Sequence, residues 1–174
     1  MAESDKTQTA AGAAPATPPP VQILSQYIKD LSFENPNSPA VLTPGQPAPQ
    51  VTVNVDVRTN TVEENRYEVV LAIKGDAKIA DKQAFIVELS YAGVVNTADV
   101  AKEMVAPLLL IEVPRLLFPF ARAVIADATR EGGYPPMMVQ PIDFADLFRR
   151  QMERLLVGPD AELTGRGVVY VRTT

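Results

Sequence analysis

Gln50-Val-Thr-Val-Asn-Val-Asp-Val-Arg58 is a run in which Val51, Val53, Val55 and Val57 alternate with Thr52, Asn54, Asp56 and Arg58. A β-strand sends consecutive side chains to opposite faces, so this run predicts a strand with one apolar face and one polar face. The pattern returns twice downstream. Over residues 66–78, Tyr67, Val69, Leu71 and Ile73 oppose Glu68, Val70, Ala72 and Lys74; over 83–95, Phe85, Val87, Leu89 and Tyr91 oppose Ile86, Glu88, Ser90 and Ala92. Asn60 and Glu63-Glu64-Asn65 supply the first turn. Three successive strands on short loops predict an antiparallel meander.

After Asn96-Thr97-Ala98-Asp99 the period becomes helical, with Pro107, Pro114 and Pro119 interrupting or opening helical segments. Leu117, Ala121, Val124, Ile125 and Ala128 form one stripe, and Gly132-Gly133 is a stop signal. A second helix starts at the N-cap Asp143 and aligns Phe144, Leu147, Phe148, Met152 and Leu155. Strands followed by helices give an α+β class, with a long, proline-interrupted helix and a C-terminal helix on one side of the sheet. Residues 157–174 read as a flexible tail, in which Val168-Val169-Tyr170-Val171 is apolar enough to pair or dock.

Upstream, residues 21–34 are ambiguous. Val21, Leu24, Ile28 and Leu31 fit a helix stripe, while Ile23, Tyr27, Leu31 and Phe33 fit one strand face. Asn35-Pro36-Asn37-Ser38-Pro39 ends any regular element, and Pro44, Pro47 and Pro49 extend the connection. Residues 1–20, built from Ala, Thr, Pro and Gln and ending in Pro18-Pro19-Pro20, cannot bury enough surface to offset chain entropy and read as a disordered arm. One domain over residues 21–156 remains.

The chain has no cysteine and no histidine, which removes disulfides, thiolate nucleophiles, imidazole bases and nearly all structural zinc sites. A net charge of -5 gives no field for neutralising phosphates, so nucleic acid is not an expected partner and a basic protein is. No cofactor or metal is expected. The start Met1-Ala-Glu-Ser-Asp-Lys-Thr has no signal-peptide character, and the apolar stretch 104–111 is short and broken by Pro107. Cytoplasm without membrane insertion is the expected location.

Three stretches together carry a resemblance: Tyr27-Ile-Lys-Asp-Leu-Ser-Phe-Glu-Asn-Pro-Asn-Ser-Pro, Tyr67-Glu-Val-Val-Leu, and Leu117-Phe-Pro-Phe-Ala-Arg through Gly132-Gly-Tyr-Pro-Pro to Pro141-Ile-Asp-Phe. The chain resembles the SecB family, tetrameric chaperones of bacterial protein export, over about residues 21–156. The resemblance implies that residues 21–34 are the first of four antiparallel strands and that the proline-rich run crosses to the second. It implies a homotetramer, a dimer of dimers in which two sheets sandwich helices, with no catalytic site. It also implies two partners: unfolded precursor proteins held ready for translocation, and the SecA ATPase that receives them.

By the same resemblance, Tyr27, Leu31 and Phe33, Val41 and Leu42, Val51, Val53 and Val55, and Phe144, Leu147 and Phe148 line a client groove. A holdase of this kind draws affinity from apolar area whatever the client sequence, roughly 25 cal/mol per Å². Asp30, Glu34, Ile86 and Glu88 match the flat acidic patch by which the family docks the basic zinc-binding tail of SecA, a contact that salt weakens. The family's acidic C-terminal tail is missing, since this chain ends Gly165-Arg-Gly-Val-Val-Tyr-Val-Arg-Thr-Thr. Two other readings are an oligomeric adaptor that holds no client and an enzyme using carboxylate pairs such as Asp127 with Glu131 or Asp143 with Asp146. Those pairs suit helix-surface and capping roles.

Overall fold

The computed structural model describes residues 21–157 and 169–172; the proposed arm at 1–20 and most of the tail lie outside the described residues. Strand β1 (Gln22–Glu34) leads through a proline-rich crossover, with a 3-10 turn at Ala40–Leu42, to β2 (Gln50–Glu63), β3 (Arg66–Ile79) and β4 (Lys82–Asn96). Helix α1 (Lys102–Pro107), a π-helical turn (Leu108–Glu112) and α2 (Val113–Glu131) follow end to end, then α3 (Phe144–Val157) and a short β5 (Val169–Arg172). The sheet is antiparallel in the order β1-β4-β3-β2-β5. The four long strands and the crossover are as the sequence implies. The sheet has one short strand beyond those four, because apolar residues of the tail pair with the edge of β2.

Period-two alternation fixes the core. Register places Val55 beside Ile73 and Ile73 beside Leu89, and Val57 beside Leu71 and Leu71 beside Tyr91, all on the face that carries the helices. These side chains are buried, together with Leu117, Ala121 and Ile125 of the α2 stripe. Each fully buried residue of this size contributes about 1.5–3 kcal/mol.

Strand β1 keeps no such regular alternation. Register shifts between Ile23 and Ser25 and between Ile28 and Asp30 insert an extra residue twice. Ile23, Ile28, Leu31 and Phe33 therefore pair with helix-face residues of β4, while Tyr27 pairs with Ala92 on the opposite, polar face. The two bulges explain why periodicity left this segment open.

The helix accommodates Pro114 by widening. Pro114 has no N–H and its ring would clash with the carbonyl four residues back in a regular helix. Here the chain takes a π turn just before it, and the Val113 N–H donates to the Leu108 carbonyl. By length and composition Lys102–Glu131 would suit a membrane span, with a mean hydropathy of 1.7, and one third of that window is buried in this chain. The sheet accounts for the buried stripe. Met104, Leu116 and Phe120 remain about half exposed.

The end of β1 and the end of α2 are locked together. Phe33 stacks on Phe85 at 5.6 Å between centroids, and Phe85 meets Tyr134 at 4.8 Å. The Tyr134 hydroxyl lies 2.8 Å from Asn35 Oδ1 and 2.9 Å from the Ala84 carbonyl, and Asn35 Nδ2 donates to the Gly132 carbonyl. Gly133 takes φ +88°, a left-handed conformation suited to glycine, whereas Gly132 at φ -73° is glycine for space: a Cβ there would lie 2.2 Å from Phe33 Cζ. We predict that Gly132→Ala lowers stability by about 1–3 kcal/mol through overpacking, read as a drop in Tm, and that adding Phe33→Leu lessens the drop. An unchanged Tm for Gly132→Ala would show that the ring has room.

Candidate functional site

The helix face of the sheet opens near β2 into a cleft of about 700 Å³. Its sheet wall is Val51, Val53 and Val55 with Phe85; the opposite wall is residues 135–143 and the first turns of α3 with Leu147. Pro135, Pro136 and Pro141 hold the connecting segment extended, and Met137 and Met138 put flexible thioether side chains into the cleft. Thr129 anchors the segment: its buried hydroxyl accepts the Met137 N–H at 2.9 Å and lies 3.0 Å from the Ile125 and Ala126 carbonyls. At the rim, Arg150 pairs with Asp146 at 2.6 Å, and Asp143 caps α3 by accepting the Asp146 N–H at 3.0 Å. Unbranched methionine side chains adapt to the shape of an apolar neighbour.

Four residues that the resemblance assigns to a groove thus meet in one cleft: Val51, Val53, Val55 and Leu147. The others lie elsewhere. Phe144 is buried beneath, edge-on to Phe118 at 6.1 Å. Phe148 is half-buried on the next turn of α3, outside the cleft lining. Val41 is buried and lines a second cavity of about 320 Å³ with Pro47 and Ile79, and Leu42 lies against Gly133. Leu31 and Phe33 share the helix face at the far edge of the sheet, and Tyr27 is on the other face. The Met-containing wall at 135–142 was not among the candidates. Its signal was the Pro-Pro-Met-Met-Val-Gln-Pro composition, an extended segment with two adaptable side chains.

The polar face holds the acidic candidates. Glu34 pairs with Ile86, Ser32 with Glu88, and Asp30 with Ser90, so Asp30, Glu34, Ile86 and Glu88 lie on one face across two neighbouring strands. Asp30 has no ion-pair partner among the described residues. Glu88 is paired with Lys74 of β3. That lysine is a cation inside the patch: its hydrogen bond to Glu88, with Asp76 and Glu34 nearby, raises its pKa above the ordinary lysine value.

Beside the patch, Glu68 is a buried carboxylate with every partner it needs. It accepts Tyr27 Oη at 2.6 Å, Lys29 Nζ at 2.7 and 2.9 Å, and Asn60 Nδ2 at 2.8 Å. The Lys29 and Tyr27 hydrogen bonds outweigh burial and hold its pKa down at about 2. The hydrogen bond to Glu68 in turn raises the Tyr27 phenol. Tyr27 is on this face through its pairing with Ala92, and Lys29 lies at the second bulge, between Ile28 and Asp30.

The carboxylate pairs considered for catalysis are occupied in structural roles. Asp127 and Glu131 both pair with Arg130, Asp143 caps α3, and Asp146 pairs with Arg149 and Arg150. Among the described residues no group of acidic side chains is arranged to hold a metal ion.

Comparison with known proteins gives a consistent result. The family described as "Preprotein translocase subunit SecB" matches residues 14–155. The chain is 47% identical over 165 residues to "Protein-export protein SecB" of Maricaulis maris, covering 94% of this chain and 96% of that one. It is 52% identical over 145 residues to the protein of the same name from Nitrobacter winogradskyi, covering 82% and 91%. Among solved structures, a Mycobacterium tuberculosis SecB-like chaperone in complex with a ChAD peptide from an antitoxin matches with a TM-score of 0.58 at 12% identity. That match covers 70% of this chain and 90% of the other, and it supports the fold.

The Glu68 cluster yields a pH prediction. A carboxyl whose pKa falls from 4.5 to about 2 on folding contributes stability that is fully present above pH 4.5 and is lost as pH falls toward 2. Glu68→Gln should cost on the order of 2 kcal/mol at pH 7, and denaturant melts should show that difference shrinking below pH 4.5. A difference independent of pH down to 2 would mean that the charge is not what binds the cluster.

Proposed function

The chain belongs to the SecB family of protein-export chaperones, and from that premise we propose that it is a holdase. It binds unfolded or partly folded precursors in the cytoplasm, keeps them competent for translocation and delivers them to SecA. The domain that does this spans residues 21–156, and no bond is made or broken in the process. The observation that carries the reading is the position of the apolar cleft and the acidic patch on opposite faces of one sheet. A client in the cleft leaves the patch free, so holding and delivery can occur together.

Cleft chemistry suits an unfolded chain. Val51, Val53 and Val55 with Met137 and Met138 offer apolar area without a polar grid that would demand one sequence. The patch suits a basic partner, and Coulomb steering sets the encounter rate there more than the final affinity. Lys74 tempers that field.

A homotetramer accounts for apolar surface that one chain leaves open. In β1 all residues except Ile23 and Phe33 are exposed, Ile28 at 47%, and Phe120 at 50% stands on the same side, its ring 6.5 Å from Tyr91. β1 is also a sheet edge, which a second copy can pair. The particle should then scatter light as four times the 18.8 kDa chain.

Two variants separate the faces. Met138→Ser, at a half-exposed cleft position, should weaken binding of an unfolded client about fivefold (about 1 kcal/mol) and leave SecA affinity unchanged. Asp30→Lys should weaken SecA docking with client affinity unchanged, and Lys74→Gln should strengthen docking at low salt. Aggregation assays on a chemically unfolded protein and titrations with SecA read both. Failure of the wild-type tetramer to suppress aggregation at near-stoichiometric ratio would replace the holdase with an adaptor.

A further inference from the structure

Strand β5 pairs antiparallel with β2 over Thr52–Val55, Val171 standing opposite Val53 and Val169 opposite Val55. Val53 and Val55 are the same residues that form the sheet wall of the cleft. The C-terminal segment is thus an extended, apolar piece of polypeptide, Val169-Tyr-Val-Arg172, laid on the backbone edge that borders the client cleft. Chemically it is what an unfolded client presents. We propose that β5 is a built-in occupant of the client site: it covers the β2 edge when no client is present, and a client segment replaces it by pairing with β2 as an antiparallel strand. The proposal rests on the client-binding reading above and adds the mode of binding and its internal competitor.

The geometry suits a displaceable occupant. β5 covers Thr52–Val55 of a β2 strand that runs over Gln50–Glu63, so its ladder is short and a longer extended chain can outcompete it. Residues 158–168 connect it covalently to α3, and a covalent connection of such length holds a segment at an effective concentration on the order of millimolar. A tethered segment therefore screens out weak or short apolar peptides and yields to long ones that fill the cleft as well. It also protects a sheet edge that would otherwise template aggregation. An arm docked about nine-tenths of the time weakens apparent client affinity about tenfold, and releasing it restores that factor.

Because the chain lacks cysteine, the test can lock and release the same strand. Asn54→Cys with Tyr170→Cys places two thiols at a directly paired position on the face away from the cleft. Oxidation should abolish binding of a fluorescent, permanently unfolded protein to the full-length tetramer, and reduction should restore it. Val169→Gly with Val171→Gly, which weakens the strand without adding charge, should bind the same probe about tenfold more tightly than wild type. Equal affinity of the oxidised, reduced and glycine forms, with binding intact in all, would overturn the internal competitor and leave the holdase standing. Absence of probe binding in every form, wild type included, would overturn the holdase reading and this proposal with it.

Discussion

A β-strand cannot turn one side chain through the sheet without turning its neighbours the other way. In this chain β2, β3 and β4 hold that parity along almost their whole length, so an apolar face and a polar face are fixed together. The consequences propagate. The apolar face needs cover, which α2 supplies with Leu117, Ala121 and Ile125, and where α2 ends the cover changes to the Met-containing segment and α3, leaving the cleft. The polar face needs none, so Asp30, Glu34 and Glu88 stay in solvent beside Ile86. A one-residue slip of any central strand would exchange the two surfaces, which ties the register to both proposed activities.

Where the parity is deliberately broken, the break has a use. The bulge at Lys29 in β1 returns Leu31 and Phe33 to the helix face, while Tyr27 and Lys29 bond Glu68 on the other face. Phe33 then reaches Phe85 and the space left by Gly132, which joins the first strand to the end of the long helix. Two of the motifs that carry the family resemblance, Asn35-Pro36 with its preceding strand and Gly132-Gly-Tyr134, thus meet in space. Their residue types follow from that contact: an amide that bonds both a carbonyl and a phenol, and a glycine where a ring leaves no room for Cβ.

The sequence was readable where one periodic signal ran without interruption. The alternation of 50–58, 66–78 and 83–95 and the stripe from Leu117 to Ala128 correspond to elements of the fold. Residues 21–34 resisted, since two inserted residues break the period and mimic a helical stripe; the family resemblance supplied the strand. For the site, the valines of β2 and Leu147 line one cleft. Phe144 and Val41 share the apolar character of groove residues, yet burial is a property of three-dimensional neighbours and cannot be read from type. The cleft wall at 135–142 has no period because it is neither helix nor strand. The pairing of β5 with β2 joins distant segments, and only the apolar composition of residues 168–171 pointed to it.

The central claim is that client and SecA use opposite faces of one sheet. Methyl NMR on the full-length tetramer, labelled at isoleucine, valine and methionine, tests it most directly, because Met138 and Val53 report the cleft and Ile86 reports the acidic face. Saturation with an unfolded protein should shift the Met138 and Val53 methyls and leave Ile86 in place, and the zinc-binding tail of SecA should do the reverse. A shift of Ile86 together with Met138 on adding client would contradict the separation of the two faces.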